Sequence, residues 1–416
     1  MLKLIFAFVL LFHSAVALSQ SLSLSLQVAL ERALSQNLLL KRQVALQASV
    51  EARTLITLSP EKPVVSFYIE DMLNSPTENQ IVRRWQISQG FEFPLTTYFR
   101  ANAQSKLATA AANETKEVES EIAARTRKAY ARAVMAQALK TLAEENRAVS
   151  QRFFDISKRL VEIGEVSQLQ ALRAKIELVR AENFRTDMLA LYAEAQRDLA
   201  LLLGESEQST FTLTDTVPKP LPAFDFATLF QTAIDSRPML KAMQLRQESA
   251  ELARSAAYSA LLPTIRVTLF QQRFTPALNP LQNFYGGEIA LSLPLWFWLG
   301  ECGEIAEKSA LQRAQEYDTR FAIAQLNTEL RNAFTRYESA KRQAEQTEQD
   351  ELTAAQKAFA AAERQLQTAN IGYIEYLEAK RTYFEAQRNA LEKRFAAESA
   401  LAELLRTVGI INFNDQ

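Results

Sequence analysis

Two glutamates are the residues whose type and spacing could do chemistry. Glu375 and Glu378 lie three residues apart, so both carboxylates share one face of a helix. Such pairs act as acid and base in glycoside hydrolysis and can also bind metal ions. These two fall on a predicted continuous helix, with no histidine, glycine-rich loop or nucleophile motif nearby. We therefore predict no enzymatic activity, no catalytic residue, no metal site and no cofactor.

Histidine and cysteine are almost absent from the sequence. The one histidine, His13, lies near the amino terminus, and the one cysteine, Cys302, has no partner for a disulfide. This composition excludes histidine-based catalysis and argues against a structural zinc site. Cys302 is expected to be a free thiol or a small buried residue. A formal net charge of −1 gives no basic surface for phosphates, so we expect no nucleic-acid partner.

The first 17 residues have the pattern of a secretory signal peptide. Lys3 precedes an apolar run over 4–12, and Ala15-Val16-Ala17 provides a cleavage site. The apolar run is too short to cross a bilayer, which requires about 20 residues. We expect export, with cleavage after Ala17.

Long helices are predicted for most of the remaining chain. Residues 97–203 and 300–408 are rich in Ala, Gln, Glu, Leu and Arg, and the whole chain has only 9 Gly and 12 Pro in 416 residues. A helix from Thr97 to Glu162 would extend about 100 Å at about 1.5 Å per residue. Small residues between the apolar ones favour close helix packing.

Alternating apolar residues before each helical region predict four strands in two hairpins. The alternating positions are Val65, Phe67, Ile69, Trp85, Ile87, Phe91, Phe93, Ile265, Val267, Leu269, Tyr285, Ile289, Leu291 and Leu293. The tryptophans Trp85, Trp296 and Trp298 lie in or beside these strands. They fit an interfacial aromatic belt or ordinary packing equally well.

The sequence indicates an internal duplication. Each half is predicted to contain a helix, a hairpin, a long helix, a tight turn and a second long helix. At an offset of 205, Arg159 aligns with Arg364 and Leu203-Gly204 with Val408-Gly409. At an offset of 200, Phe93-Pro94-Leu95 aligns with Leu293-Pro294-Leu295. The predicted boundaries are a signal peptide 1–17, a first repeat 18–204, a linker 205–223, a second repeat 224–409 and a tail 410–416.

These features in this order resemble the TolC-like outer-membrane efflux family over nearly the whole mature chain. The resemblance also includes the opening 28–37, Val-Ala-Leu-Glu-Arg-Ala-Leu-Ser-Gln-Asn. It implies a mixed α and β fold, mainly α, in which long antiparallel helices form a periplasmic α-barrel. Four strands per protomer would contribute to a trimeric, twelve-stranded transmembrane β-barrel. Segments 303–306 and 373–379 are similar to the heavy-metal efflux branch.

The family resemblance assigns roles to both helix tips. Docking of an adaptor would involve Arg159, Gly164, Glu165, Val166, Ser167, Arg364, Ala369 and Asn370. Glu375 and Glu378 would line a periplasmic gate, where threefold symmetry would place six carboxylates together and favour cations. The alternatives are an ordinary helical turn at the tips and a solvated helix face for the glutamates.

The predicted function is that of a passive outer-membrane exit duct in a tripartite efflux system, with helices extending into the periplasm. It would carry small solutes or metal cations. The resemblance implies a homotrimer in outer-membrane lipid, working with a periplasmic adaptor protein and an inner-membrane pump. The alternatives are an outer-membrane duct for type I protein secretion and a soluble periplasmic coiled-coil adaptor. The adaptor is disfavoured because the aromatic strand faces would have no apolar surroundings.

Overall fold

The computed structural model describes residues 22–75, 78–214, 220–275, 283–367 and 371–411. The predicted signal peptide lies outside these ranges. The helices are α1 Leu26–Gln36, α2 Leu38–Leu58, α3 Pro94–Glu162, α4 Gln168–Leu203, α5 Phe226–Ser236, α6 Pro238–Ser259, α7 Glu301–Gln346, α8 Thr353–Gln367 and α9 Tyr373–Val408. The strands are β1 Leu22–Leu24, β2 Val64–Ser75, β3 Glu78–Phe91, β4 Phe211–Leu213, β5 Thr264–Thr275 and β6 Asn283–Ser292.

The long helices predicted from composition are confirmed. Helix α3 runs for 69 residues, and α4 and α9 run for 36 residues each. Helices α7 and α8 are joined by a π-helical turn, Thr347–Leu352, so the backbone stays helical from 301 to 367. This π-helical turn was not predicted. Among the described helices, none is both long and apolar enough to cross a membrane.

The helix expected before each hairpin is in fact two helices, which corrects the prediction. Helix α5 ends at Ser236 and α6 begins at Pro238, because the residue before a proline is disfavoured in helical conformation. In the first half the break falls at Asn37, whose side-chain amide donates to Leu202 O at 3.0 Å. Asn37 thus satisfies a carbonyl at the carboxyl end of α4, where the helix provides no N–H donor of its own.

The four predicted strands form one antiparallel sheet in the order β2-β3-β5-β6. Directly opposed residues share a face, as Phe67, Trp85 and Gln271 do. All the predicted apolar positions within the strands fall on this one face, whereas Arg84 and Gln272 pair on the other face at 3.0 Å. Phe93 and Leu293 lie just beyond the strand ends.

A second, two-stranded sheet was not predicted. Strand β1 pairs in parallel with β4, with Leu24 opposite Leu213. Both leucines are buried, and Tyr130 Oη donates to Leu24 O at 3.0 Å. Three-residue strands are too short to show an alternating pattern in the sequence.

The chain forms two compact units. One contains residues up to Asn37 together with Ile122–Pro222 and Arg336–Ala402, and its core includes Leu139, Leu142 and Phe384. The other contains Leu38–Glu121, Ala223–Thr335 and the residues from Glu403 onward, including the four-stranded sheet. Both helix tips named above belong to the first unit.

Candidate functional site

The first tip is a tight turn between α3 and α4. Gly164 has a left-handed φ of 79°, and its N–H donates to Val161 O at 3.0 Å, while Glu165 N–H donates to Leu160 O at 2.9 Å. This is a Schellman cap, which satisfies the last carbonyls of α3. The predicted helix end at Gly164 is confirmed. Ser167 occupies the N-cap position of α4, but its hydroxyl makes no capping bond.

The side chains of the first tip are directed mostly to solvent. Arg159, Glu165 and Ser167 are exposed and Val166 is half-buried. The preceding Ile163 is 69% exposed, which is high for a large apolar side chain. The turn therefore presents a mixed apolar and charged surface.

The second tip lies between α8 and α9. Ala369 and Asn370 fall outside the described residues, and Arg364 is exposed on α8. At the start of α9, Glu375 accepts a hydrogen bond from Gly372 N–H at 3.2 Å. A glutamate at this position reaches back to the N-cap, as in half of a capping box. Glu375 therefore stabilises the helix start, a role that its sequence spacing did not reveal.

The two candidate gate residues point away from the core. Glu375 and Glu378 are exposed, whereas Tyr376 and Leu377 between them are 5% and 7% exposed. Burial of the two apolar side chains fixes the rotation of α9. The carboxylates are consequently held on its outer face.

An aromatic cluster joins the two hairpins beneath the tips. The ring of Phe153 lies 4.7 Å from Tyr373 and 5.0 Å from Tyr376. Tyr373 Oη donates to Gln170 O at 2.8 Å, which ties the first turn of α9 to the first turn of α4. Burial raises the pKa of Tyr376 to about 12, so its hydroxyl stays protonated at physiological pH.

A buried carboxylate, Glu177, lies on α4 close to this cluster. Arg381 Nε donates to Glu177 Oε2 at 3.2 Å and Arg381 Nη2 donates to Oε1, while Arg180 Nη1 donates to Oε1 at 2.9 Å. Burial alone raises the pKa of Glu177, but Arg381, Arg180 and Lys380 outweigh it, and the pKa lies below its usual value. Glu177 is therefore ionised and holds α9 against α4.

Lys380 is the neighbouring buried cation and is only 4% exposed. Its ammonium donates to Ser150 Oγ on α3 and lies 5.6 Å from the ring centroid of Phe384. Burial, opposed by Glu177 and assisted by Arg381, lowers its pKa to about 8. Successive residues of α9 thus contact both helices of the first hairpin. Lys380 contacts α3, and Arg381 contacts α4.

The network of Glu177, Lys380 and Arg381 was not predicted, although the position of Glu177 in the sequence was one indication of it. Glu177 lies beside Ala174, Leu178 and Ala181, the buried face of α4, so a carboxylate occupies the edge of an apolar stripe. Its partner Arg381 is 204 residues away, and nothing in the sequence alone pairs the two.

No group of three His, Cys, Asp or Glu side chains within the described ranges could hold a metal ion. Cys302 is an exposed free thiol.

A long helical hairpin repeated twice, with strand pairs that join in one sheet, defines the class of outer-membrane channels with periplasmic helices. The sequence profile of the outer membrane efflux protein family matches residues 27–205 and 229–409. The chain belongs to the outer membrane efflux protein family, and its location is the outer membrane.

Known proteins agree with this assignment. The chain is 22% identical over 272 residues to the cobalt-zinc-cadmium resistance protein CzcC of Cupriavidus metallidurans, covering 65% of this chain and 63% of that relative. It also has the fold of CusC, with a TM-score of 0.76 at 17% identity over 92% of each chain. The open state of the Neisseria gonorrhoeae MtrE outer membrane channel gives a TM-score of 0.74 at 17% identity, covering 92% of this chain and 89% of MtrE.

Proposed function

We propose that the protein is the trimeric exit duct of a tripartite efflux system, carrying small solutes or metal cations through the outer membrane. The four-stranded sheet carries this proposal. On its apolar face Tyr285 is 78% exposed, Ile289 74% and Val65 64%. The opposite face carries polar groups such as Arg84 and Gln272. An apolar face toward lipid and a polar face toward a lumen are typical of outer-membrane strands.

The sheet edges support association of three copies. Among the described strands, β2 and β6 each have one neighbour in the sheet, so each has an edge of backbone groups without a partner among those strands. Four strands are too few to close on themselves. Pairing of β6 from one copy with β2 of the next removes both edges in a closed ring.

Assembly is tested by extracting the protein in detergent and comparing unheated with boiled samples on a denaturing gel. We expect a heat-sensitive trimer, and a matching trimer mass by native mass spectrometry. A monomer that is soluble without detergent would contradict the proposal.

The gate in this proposal is formed by Glu375 and Glu378. Three copies would bring six exposed carboxylates together, and such a ring favours cations. Metal cations are the preferred cargo class because CzcC is named for cobalt, zinc and cadmium resistance. Because Glu375 also caps α9, Glu378 is the better residue for a test.

We expect Glu378→Gln to reduce cation preference without loss of folding. The measurement is the reversal potential of single channels in a KCl gradient across a planar bilayer. Asp187→Asn changes an exposed carboxylate on α4, away from the tips; it is the control and should leave the potential unchanged. An unchanged reversal potential for Glu378→Gln would show that Glu378 is not part of the carboxylate ring.

Docking of the adaptor and pump is proposed at the tips, through Arg159, Gly164, Glu165, Val166, Ser167 and Arg364. The support is the exposure of Ile163 and Ile374, which are 69% and 60% exposed beside charged residues. We expect Ile163→Asp to reduce co-purification of a periplasmic adaptor co-expressed with this protein, with Asp187→Asn as the control. Equal recovery of adaptor with Ile163→Asp and with the control would show that the docking surface lies elsewhere.

A further inference from the structure

The apolar face of the four-stranded sheet carries two arginines side by side. Arg83 on β3 lies directly opposite Arg273 on β5. Arg83 is two residues from Trp85 and Arg273 is two residues from Gln271, so both side chains leave the sheet on the face that carries Trp85. Both arginines are exposed. This face therefore presents two adjacent guanidinium groups.

The two arginines have no counter-charge within the part of the chain that the structure describes. Neither guanidinium forms an ion pair or a hydrogen bond there, whereas Arg266, on the opposite face of β5, pairs with Glu61 at 3.7 Å. Like charges directly opposite each other on neighbouring strands destabilise a sheet. An anion bound between Arg83 and Arg273 would remove this repulsion, so the pair has the chemistry of an anion site.

The arginine pair lies at the end of the sheet that is remote from the helices. The long helices join the other end of the strands and extend into the periplasm. Asn283, which is opposite Arg273, is ten residues from Leu293, or about 33 Å along the chain. At a strand tilt of about 40° this is about 25 Å across the membrane, the height of the apolar band of an outer-membrane barrel. The arginines therefore lie at the outer rim of that band.

Aromatic side chains lie in the next row of the same face, toward the middle of the apolar band. The ring of Phe67 lies 4.4 Å from that of Trp85, and the Gln271 amide donates to Tyr285 Oη at 3.3 Å. The register places these four residues side by side across the sheet. Tyr and Trp are enriched at membrane interfaces, and arginine beside them extends to the level of the lipid headgroups. A ligand that fits both rows has acyl chains and an anionic headgroup.

We propose that Arg83 and Arg273 bind a phosphate group carried by a lipid of the outer leaflet. A guanidinium is a fork of N–H donors that matches two phosphate oxygens, and directly opposed side chains are about 5 Å apart at Cβ. One phosphate can therefore contact both arginines, while the acyl chains of the same lipid lie along Trp85 and Tyr285. The inference rests on the proposed function, in which this face of the sheet meets lipid.

Native mass spectrometry of delipidated protein in detergent tests the site. The probe is lipid A, an acylated disaccharide with phosphate groups. We expect Arg83→Gln with Arg273→Gln to weaken the binding of lipid A about tenfold or more, because both charge-assisted contacts are lost. Arg42→Gln with Arg53→Gln is the matched control, since it removes two exposed arginines from α2 and should leave binding unchanged. Equal binding of lipid A by the wild type and the sheet variant would overturn the site.

The source of the phosphate is tested in the same experiment. Inorganic phosphate at the same concentration as lipid A should not displace the lipid, because it has no acyl chains to lie along the aromatic row. Displacement by inorganic phosphate would overturn the assignment to a lipid.

Thermal unfolding in lipid-free detergent separates loss of the site from loss of folding. Arg83→Gln alone relieves the repulsion, so it should unfold at the same temperature as the wild type or a higher one. Added lipid A should raise its midpoint less than that of the wild type. An equal gain from lipid A in both proteins would overturn the proposal. The proposed function fails on a different result, namely a protein that is soluble without detergent and gives no conductance steps.

Discussion

Glu177 is a carboxylate whose charge is kept in a buried position by three neighbouring cations. Glu177→Gln removes that charge and leaves Arg381 without its bidentate partner. We expect the free energy of unfolding to fall by about 1–3 kcal/mol. Chemical unfolding followed by circular dichroism measures it, with Arg180→Gln as the control, because the Arg180 side chain is 64% exposed and its pair contributes less. Equal losses for both variants would contradict the assigned role of the Arg381 pair.

Acid should weaken the same link. The pKa of Glu177 is lower in the folded chain than its usual value, so its stabilisation is present above the usual carboxyl range and is lost as pH falls through the folded pKa. We expect the Glu177→Gln variant to lose less stability than the wild type between neutral pH and pH 3. The unfolding midpoints at each pH give this comparison. Parallel acid profiles would refute it.

Lys380 should also make stability rise with pH, but in the alkaline range. Its folded pKa of about 8 lies below its ordinary value of 10.5, so the unfolded chain binds more protons between these values and stability rises with pH there. We expect a gain of the order of 1 kcal/mol from pH 7 to pH 9.5. Lys380→Met should flatten this rise in unfolding experiments. A variant that keeps the full rise would show that another group causes it.

Two helices end at glycine caps that differ in the space available for an added side chain. Gly164 and Gly204 are both left-handed, but a Cβ on Gly164 would meet open space, whereas one on Gly204 would lie 3.0 Å from Gln36 O. Gly164→Ala should cost about 1–2 kcal/mol from backbone strain alone. Gly204→Ala should cost more, because the backbone of α1 cannot move aside. Unfolding followed by circular dichroism compares the two.

Gly303 is the control for these caps. It lies within α7, has no left-handed φ and has open space around it, so Gly303→Ala should stabilise the chain by about 0.5–1 kcal/mol. A loss of stability in this variant, or equal losses at Gly164 and Gly204, would contradict the account of the helix caps.

The sequence predicted those elements that depend on many residues at once. The long helices follow from the shortage of Gly and Pro, and the four strands follow from alternation that continues to Phe91 and Leu291. The π-helical turn at Thr347–Leu352 was not predictable, because one extra residue in a helical turn leaves the composition unchanged. The pairing of β1 with β4 depends on only three residues in each strand.

For the candidate site, local features were predictable and distant contacts were not. The turn at Gly164 followed from its residue type. The contact of Arg381 with Glu177 and that of Lys380 with Ser150 join residues more than 200 positions apart. Only the packing of α9 against α3 and α4 brings them together. The capping role of Glu375 depends on where α9 begins, and helix ends are the least certain part of a sequence-based assignment.

In the molecule as a whole, the sheet and the helices both support the proposed channel. Exposed apolar strand positions and open sheet edges are surfaces that a single chain leaves uncovered. Lipid and two further copies would cover all of them. In the proposed exit duct the cargo would pass without chemical change.

Reconstitution in a planar lipid bilayer shows whether the protein forms a channel. Purified protein extracted in detergent should insert and produce discrete, cation-preferring conductance steps, and Glu177→Gln should increase the conductance because it loosens the link between α9 and α4. Protein that is correctly folded by circular dichroism but never produces conductance steps, in the wild type or in this variant, would contradict the assignment of an exit duct.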